Sequence, residues 1–320
     1  MRAITFTDEL RVTQSQPKPD PRETESLVRV RLAGICNTDI EITKGYMGFR
    51  GVLGHEFVGT AESGPFAGKR VVGEINAACG HCVMCLSGNR THCLNRTVLG
   101  IHDRNGAMAD YLSLPHENLH PVPDSVSDQQ AVFTEPLAAA LEILEGVHIR
   151  PSERVVVVGD GKLGQLVAQV IALVGADLTV VGRHAQKLAL VQRRGINTCL
   201  EGDAARLRGA DVVVDCAGSA GGFALAAQLV RARGRVVLKS TIQGAHTVSL
   251  TPLAVNEVTL IGSRCGPFPA ALRLLERGAV DVESLVSEVY PLHSGVAAFA
   301  RAQAPGVMKV LLDAGYNADS

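Results

Sequence analysis

A run of four valines, Val155 to Val158, passes directly into Gly159-Asp160-Gly161-Lys162-Leu163-Gly164. No other stretch constrains the fold as tightly. An apolar strand that turns on glycines into a helix is how a parallel α/β sheet begins, and the following sequence keeps that rhythm. Short apolar segments at 178–182, 197–200, 212–215, 235–239 and 258–262 read as further strands. Stretches of helical spacing at 164–174, 185–194 and 221–232 lie between several of them, with Gly195 and Gly234 expected as stops. Together they predict an α/β region with a doubly wound parallel sheet.

In such a fingerprint Gly159 makes the tight turn, Gly161 lets the backbone approach a pyrophosphate, and Gly164 lets helix and strand pack closely. Lys162 and Leu163 complete the loop. The loop is expected to bind a dinucleotide; an ordinary strand-to-helix turn is the alternative. The next strand ends Val180-Val181-Gly182-Arg183-His184, without the carboxylate that usually reads the ribose of NAD. Arg183, helped by His184 and Lys187, is suited to a 2′-phosphate, which favours NADP(H) over NAD(H). An arginine stacked on adenine would leave NAD open.

The first third has a different texture. Residues 27–35 alternate apolar and charged positions like a half-buried strand, and glycines at 45, 48, 51, 54, 59, 64, 68 and 73 punctuate short segments. A second strand-like segment covers 107–114, and 129–145 is helical in pattern, interrupted by Glu135-Pro136. After Gly266 come a Pro-Phe-Pro turn, a helix-like 270–277 and a strand-like 308–312; the tail after Gly315 is expected to be loose. A chain of 320 residues is long enough for two domains.

Four of the eight cysteines, Cys79, Cys82, Cys85 and Cys93, have the spacing C-x2-C-x2-C-x7-C. Four thiolates saturate a tetrahedral zinc, so this loop is expected to hold a structural ion; a redox pair is the rival reading. His81 and His92 are expected to be solvated. Cys36 and Gly54-His55-Glu56 suit a different zinc, one whose fourth position stays open to a substrate oxygen. Cys199, Cys216 and Cys265 read as small buried residues. A net charge of −1 with no long run of like charge argues against nucleic-acid or membrane-surface partners. The charged N-terminus lacks a signal-peptide core and no apolar run is long enough for a membrane span, so the cytoplasm is the expected location.

Gly34-Ile35-Cys36-Asn37-Thr38-Asp39, Gly54-His55-Glu56-Phe57-Val58-Gly59, the cysteine quartet, Glu135-Pro136-Leu137 and the glycine fingerprint occur in one order. That order resembles the zinc-dependent medium-chain alcohol dehydrogenase family, over nearly the whole chain. The resemblance implies a GroES-like, β-rich catalytic domain from 1–138 and 267–320 around a Rossmann domain at 139–266. It implies a catalytic zinc on Cys36 and His55, with Glu56 and Glu135 as candidate third ligands, Glu56 either ligating or sitting just behind the metal. The Glu135-Pro136 pair looks like the polyol and threonine dehydrogenase branch.

Asp39 matches the carboxylate that orients the ligating histidine, Thr38 the hydroxyl that relays the substrate proton, and Lys309 a basic residue directed to the coenzyme pyrophosphate. Glu41 stands where many relatives place a relay histidine. The implied activity is hydride transfer between an alcohol or polyol and the nicotinamide, with two zinc ions per chain, in a homodimer or homotetramer. An L-threonine-type amino alcohol dehydrogenase and a non-catalytic nucleotide-binding sensor are the alternatives. On the relay hypothesis Thr38→Val leaves zinc content intact and cuts turnover sharply; unchanged steady-state turnover would reject the relay.

Overall fold

In the computed structural model, which describes residues 1–241 and 247–315, the alternating first third becomes strands. They are β1 (Ala3–Phe6), β2 (Leu10–Thr13), β3 (Glu25–Gly34), β4 (Gly51–Val52), β5 (Glu56–Ala61), β6 (Arg70–Gly73), β7 (Asn76–Ala77), β8 (Thr97–Leu99), β9 (Asp103–Arg104), β10 (Tyr111–Pro115) and β11 (Leu119–Pro121). In β3, Val28, Val30 and Leu32 are buried while Arg29 and Arg31 stay exposed, the pattern of one wet face. Its last residues, Ala33 and Gly34, are buried as well. The strand therefore carries the chain inward just before Cys36.

Two short helices serve this region, α1 (Asn37–Ile42) and α2 (Val83–Leu86). Next come α3 (Asp128–Ala131) and α4 (Thr134–Gly146). The break expected at Glu135-Pro136 falls earlier, at Val132 and Phe133. Ser127 and Gln130 close a reciprocal capping box at the start of α3. Pro136 then sits in the first turn of α4, where its missing N–H costs nothing.

The valine run forms β12 (Arg154–Val158), followed by α5 (Lys162–Ala172), β13 (Asp177–Gly182), α6 (Ala185–Gln192), β14 (Asn197–Leu200), β15 (Ala210–Asp215), α7 (Ala220–Leu229), β16 (Val230–Leu238), α8 (Thr251–Val255) and β17 (Thr259–Gly262). These strands make a parallel six-stranded sheet in the order β14-β13-β12-β15-β16-β17. The order reverses beside β12, which is where open α/β sheets take their ligands. One expected stop differs. Helix α7 ends at Leu229 without a glycine, and Gly234 lies inside β16, where the register against β15 jumps. A Cβ there would come within 2.9 Å of the Arg231 carbonyl oxygen, so the residue serves a bulge and not a cap.

The chain closes with α9 (Phe268–Glu276), β18 (Val286–Pro291), α10 (Gly295–Ala302) and β19 (Lys309–Asp313). Neither β18 nor α10 was expected from the sequence: no residue of β18 is fully buried, and the stripe of α10, Gly295, Ala298, Phe299 and Ala302, is made mostly of small residues. Strand β19 joins β3, giving the path β11-β6-β5-β3-β19-β18 with β10 also paired to β3. Val310, Leu311 and Leu312 are fully buried, and each such side chain contributes about 1.5–3 kcal/mol. Contacts divide the chain into Met1–Glu135 with the segment from Phe268 onward, and Pro136–Pro267. The tail after Gly315 lies outside the described residues.

Gly164 shows how closely the fingerprint is packed: a Cβ there would lie 2.0 Å from the Gly159 carbonyl oxygen. Gly164→Ala is expected to cost on the order of 1–3 kcal/mol through overpacking and to weaken NAD(P)H binding. Urea unfolding and nicotinamide-fluorescence titration measure both, and wild-type values in both would exclude a tight β12–α5 junction.

Candidate active site and metal centres

Cys36 caps α1 immediately beyond β3, and its backbone N–H donates to Asp39 Oδ2 at 2.8 Å. The other oxygen, Oδ1, accepts the Gly54 N–H at 3.2 Å and faces His55 Nδ1 at 3.2 Å. Asp39 is fully buried, so one carboxylate fixes the segment bearing Cys36 and the ring of His55 together. Gly54 has φ of 97°, and a side chain there would strike Met108, so the turn that delivers His55 requires glycine. Cys36 Sγ, a His55 ring nitrogen and a Glu56 oxygen all lie within 4.8 Å of one another.

Glu56 opens β5 opposite Gly34, whose Cβ would lie 2.3 Å from Glu56 Oε2. The glycine leaves room for that carboxylate. Lys309 Nζ binds Oε2, whereas Oε1 is buried with no hydrogen-bond partner. An orphaned carboxylate oxygen is costly in a protein interior, and one beside a thiol and an imidazole suits a cation. Burial pushes the His55 imidazole down, but the charges of Asp39 and Cys36 hold it well above its ordinary value. A thiol, an imidazole and a carboxylate converging on one buried point fit a zinc ion.

The quartet fits a second ion. Cys82 Sγ is 3.5 Å from Cys85 Sγ and 3.7 Å from Cys93 Sγ, and Cys93 Sγ is 3.5 Å from Cys79 Sγ. Ligands at 2.3 Å around a tetrahedral zinc are about 3.8 Å apart, far beyond a disulfide bond. Crowding separates the thiols: the His81 backbone N–H brings Cys79 down to about 6, while burial, then the neighbouring thiols, push Cys85 up to about 11. A divalent cation removes that conflict. His81 and His92 are not part of the group.

Of the remaining expected residues, Thr38 Oγ1 lies 3.8 Å from Cys36 Sγ. Glu41 is paired with Lys44 at 2.9 Å. Glu135, in the first turn of α4, lies outside the Cys36–His55–Glu56 group. In the other unit, Gly161 caps α5, Lys162 and Leu163 form its first turn, and Gly164 is buried behind them. Arg183 and His184 are exposed after β13, with Lys187 in the first turn of α6.

Lys309 requires a correction. The expectation directed it to the coenzyme pyrophosphate, but its ammonium is buried against Glu56. Burial acts to discharge it, and the charges of Glu56, Cys36 and Asp39 raise it above an ordinary lysine. Sequence reading also passed over Asp160 as a functional side chain, although its carboxylate holds the Arg183–His184 turn. A charged residue between two fingerprint glycines was the available signal.

Two family models match the chain, the alcohol dehydrogenase GroES-like domain over residues 22–124 and the zinc-binding dehydrogenase domain over 163–277. A sorbitol dehydrogenase of Halalkalibacterium halodurans is 28% identical, with 93% of this chain and 94% of the relative covered. A zinc-binding dehydrogenase of Sinorhizobium meliloti 1021, solved with NADP bound, superposes with a TM-score of 0.87 at 27% identity, covering 98% of both chains. An alcohol dehydrogenase of Escherichia coli CFT073 complexed with NADH gives 0.89 at 25% identity, covering 98% of this chain and 99% of its own. The chain belongs to the zinc-dependent medium-chain alcohol dehydrogenase family and is a nicotinamide-linked oxidoreductase acting on small-molecule alcohols.

The clamp on His55 can be tested alone. Asp39→Asn keeps Cys36, His55 and Glu56 but weakens the acceptor that orients them, and is expected to reduce metal affinity by about 10–100-fold. Competition with a graded series of chelators measures this, and wild-type affinity would show that the ligands hold their geometry without Asp39.

Proposed function

We propose that this protein oxidises a polyol or sugar alcohol, and reduces the matching carbonyl compound, using one catalytic and one structural zinc and preferring NADP(H). The observation that carries the reading is the orphaned, buried Glu56 Oε1 beside Cys36 and His55. It favours Glu56 over Glu135 as third ligand. The set Cys36, His55 and Glu56 leaves the fourth position of a tetrahedral ion open, as catalysis requires. Cys79, Cys82, Cys85 and Cys93 would hold the structural ion. The catalytic domain is taken as 1–138 with 267–320, and the coenzyme domain as 139–266.

A zinc ion at the first site supplies Lewis acidity that lowers the pKa of a substrate hydroxyl. Asp39 keeps the Cys36 segment and His55 oriented toward one point. Lys309 holds Glu56 Oε2 and leaves Oε1 for ligation. Thr38 carries the hydroxyl proton outward from beside Cys36, a general-base relay. Glu41 is held by Lys44 and extends that route toward solvent. The fingerprint seats the pyrophosphate on the α5 N-terminus, and Arg183, His184 and Lys187 provide positive charge for a 2′-phosphate.

Sorbitol is the substrate named for the Halalkalibacterium halodurans relative, which places polyols first among candidates. The assembly is proposed to be a homodimer or homotetramer, supported by β17, an edge strand with Leu260 exposed. No helix among the described residues is long and apolar enough to cross a membrane. The cytoplasm, where thiols stay reduced, suits eight unbridged cysteines.

The test combines metal analysis with a panel of alcohols, polyols and β-hydroxy amino acids assayed with NADP+ and NAD+. Two zinc ions per wild-type chain are expected, falling to one in Glu56→Gln and staying at two in Glu135→Gln. Turnover is expected to be highest on a polyol with NADP+. One ion and no turnover would turn the reading to a nucleotide sensor, and a preference for NAD+ would overturn the cofactor assignment.

A further inference from the structure

The strand that should end in a ribose-reading acid ends in Gly182. A carboxylate nevertheless occupies that place, and it comes from the fingerprint. Asp160, between Gly159 and Gly161, is only 7% exposed and turns toward the end of β13. Its Oδ2 accepts the backbone N–H of Arg183 at 2.8 Å and of His184 at 2.7 Å. The ring of His184 approaches with Nδ1 at 3.0 Å from Oδ2 and 3.2 Å from Oδ1. Gly182 makes the arrangement possible: a Cβ there would lie 2.5 Å from Asp160 Cβ and 2.6 Å from Oδ2. The missing acid of β13 and the unexpected acid of the fingerprint occupy one volume.

A second tie parallels the first. Gln165, fully buried in α5, donates through Nε2 to the Lys187 carbonyl at 2.9 Å and to the Asp160 carbonyl at 3.2 Å. Two buried side chains, one from the phosphate-binding loop and one from α5, thus tie down the segment from Arg183 to Lys187. The Asp160 carboxylate is directed into that turn. Outward-facing charge on the turn belongs to Arg183, whose side chain is 67% exposed with Nε 3.7 Å from Glu201 Oε2, and beside it stands the half-exposed side chain of His184. Such a turn presents donors to an anion and no free acid to a ribose hydroxyl.

We propose that Asp160 is a positioning residue for cofactor specificity: by binding the backbone and ring of the Arg183–His184 turn, it presents these two side chains to the 2′-phosphate of NADP(H). This inference rests on the NADP(H) preference proposed above. It adds a residue that touches neither phosphate nor nicotinamide and acts through the turn. The isosteric Asp160→Asn exchanges one acceptor oxygen for an NH2 that opposes the backbone donors. The 2′-phosphate contacts should suffer while the pyrophosphate contacts, made by the glycines, persist.

The experiment measures NADPH and NADH dissociation constants by nicotinamide fluorescence for zinc-loaded wild type, Asp160→Asn, Asp160→Ala, and the Arg183→Ala, His184→Ala double variant with and without Asp160→Asn. Losing charge-assisted contacts to the phosphate is expected to weaken NADPH binding by about tenfold in Asp160→Asn, with NADH changed less than about twofold. In the Arg183→Ala, His184→Ala background, Asp160→Asn is expected to have no further effect on NADPH. The two single variants guard against one of them failing to fold, and retained NADH binding certifies each.

A folded Asp160 variant with the wild-type NADPH-to-NADH ratio overturns the proposal while leaving NADP(H) preference standing. Tighter NADPH binding also overturns it, because Asp160 would then be repelling the phosphate as a ribose-reading acid does. A wild type that already binds NADH more tightly overturns the preference and this inference together.

Discussion

A carboxylate removed from water needs partners for its charge, and the catalytic half of this protein is arranged around one whose two oxygens are treated differently. Glu56 meets the ammonium of Lys309 on one oxygen and offers the other to the space shared with Cys36 and His55. The partners are 253 residues apart in sequence. Breaking a buried pair by removing one member typically costs about 3–5 kcal/mol, because the survivor is left charged and unsolvated. The pair therefore requires β19 to be seated on β3, and seating β19 brings the end of the chain into the wall of the metal site. Gly34 is the third member, since any larger residue would occupy the volume of the carboxylate.

The same device appears twice more with different effect. Asp39 and Asp160 are buried acids whose oxygens accept backbone N–H groups and face an imidazole. Asp39 holds a helix start and His55 around one point. Asp160 turns a strand end and His184 outward. Accepting several N–H donors fixes the orientation of a buried carboxylate, and the geometry of those donors transmits its position to neighbouring side chains. In both cases the acid orients the group that does the binding.

Legibility from sequence followed the range of the interactions. The parallel sheet was readable because each strand and each glycine turn is a local pattern, and Cys79 to Cys93 were readable because their loop is short. Cys36, His55 and Glu56 lie within a few tens of residues along adjoining elements, so motif order reached them. The preference proposed for Glu56 over Glu135 had no basis in the sequence, because it rests on a carboxylate oxygen left without a partner once the strands pair. Lys309 was assigned to the pyrophosphate since nothing near it in sequence discloses Glu56. Strand β18 escaped because none of its residues is fully buried, and helix α10 because its buried stripe is made mostly of glycine and alanine, which carry little hydrophobic signal.

What the sequence by itself determined is therefore the repertoire: two thiol-bearing groups with the spacing of metal ligands, a glycine turn of dinucleotide type, and a β-rich segment leading into an alternating α/β one. These depend on residue chemistry and short-range spacing, and survive any rigid rearrangement of the elements. What only the tertiary structure decided is the pairing of charges. Lys309 goes to Glu56 because β19 pairs with β3, and Asp160 fills the space left by Gly182 because β12 and β13 are neighbours in the sheet. Buried charges are settled by proximity in three dimensions, since only there does the loss of water force each one to find its partner.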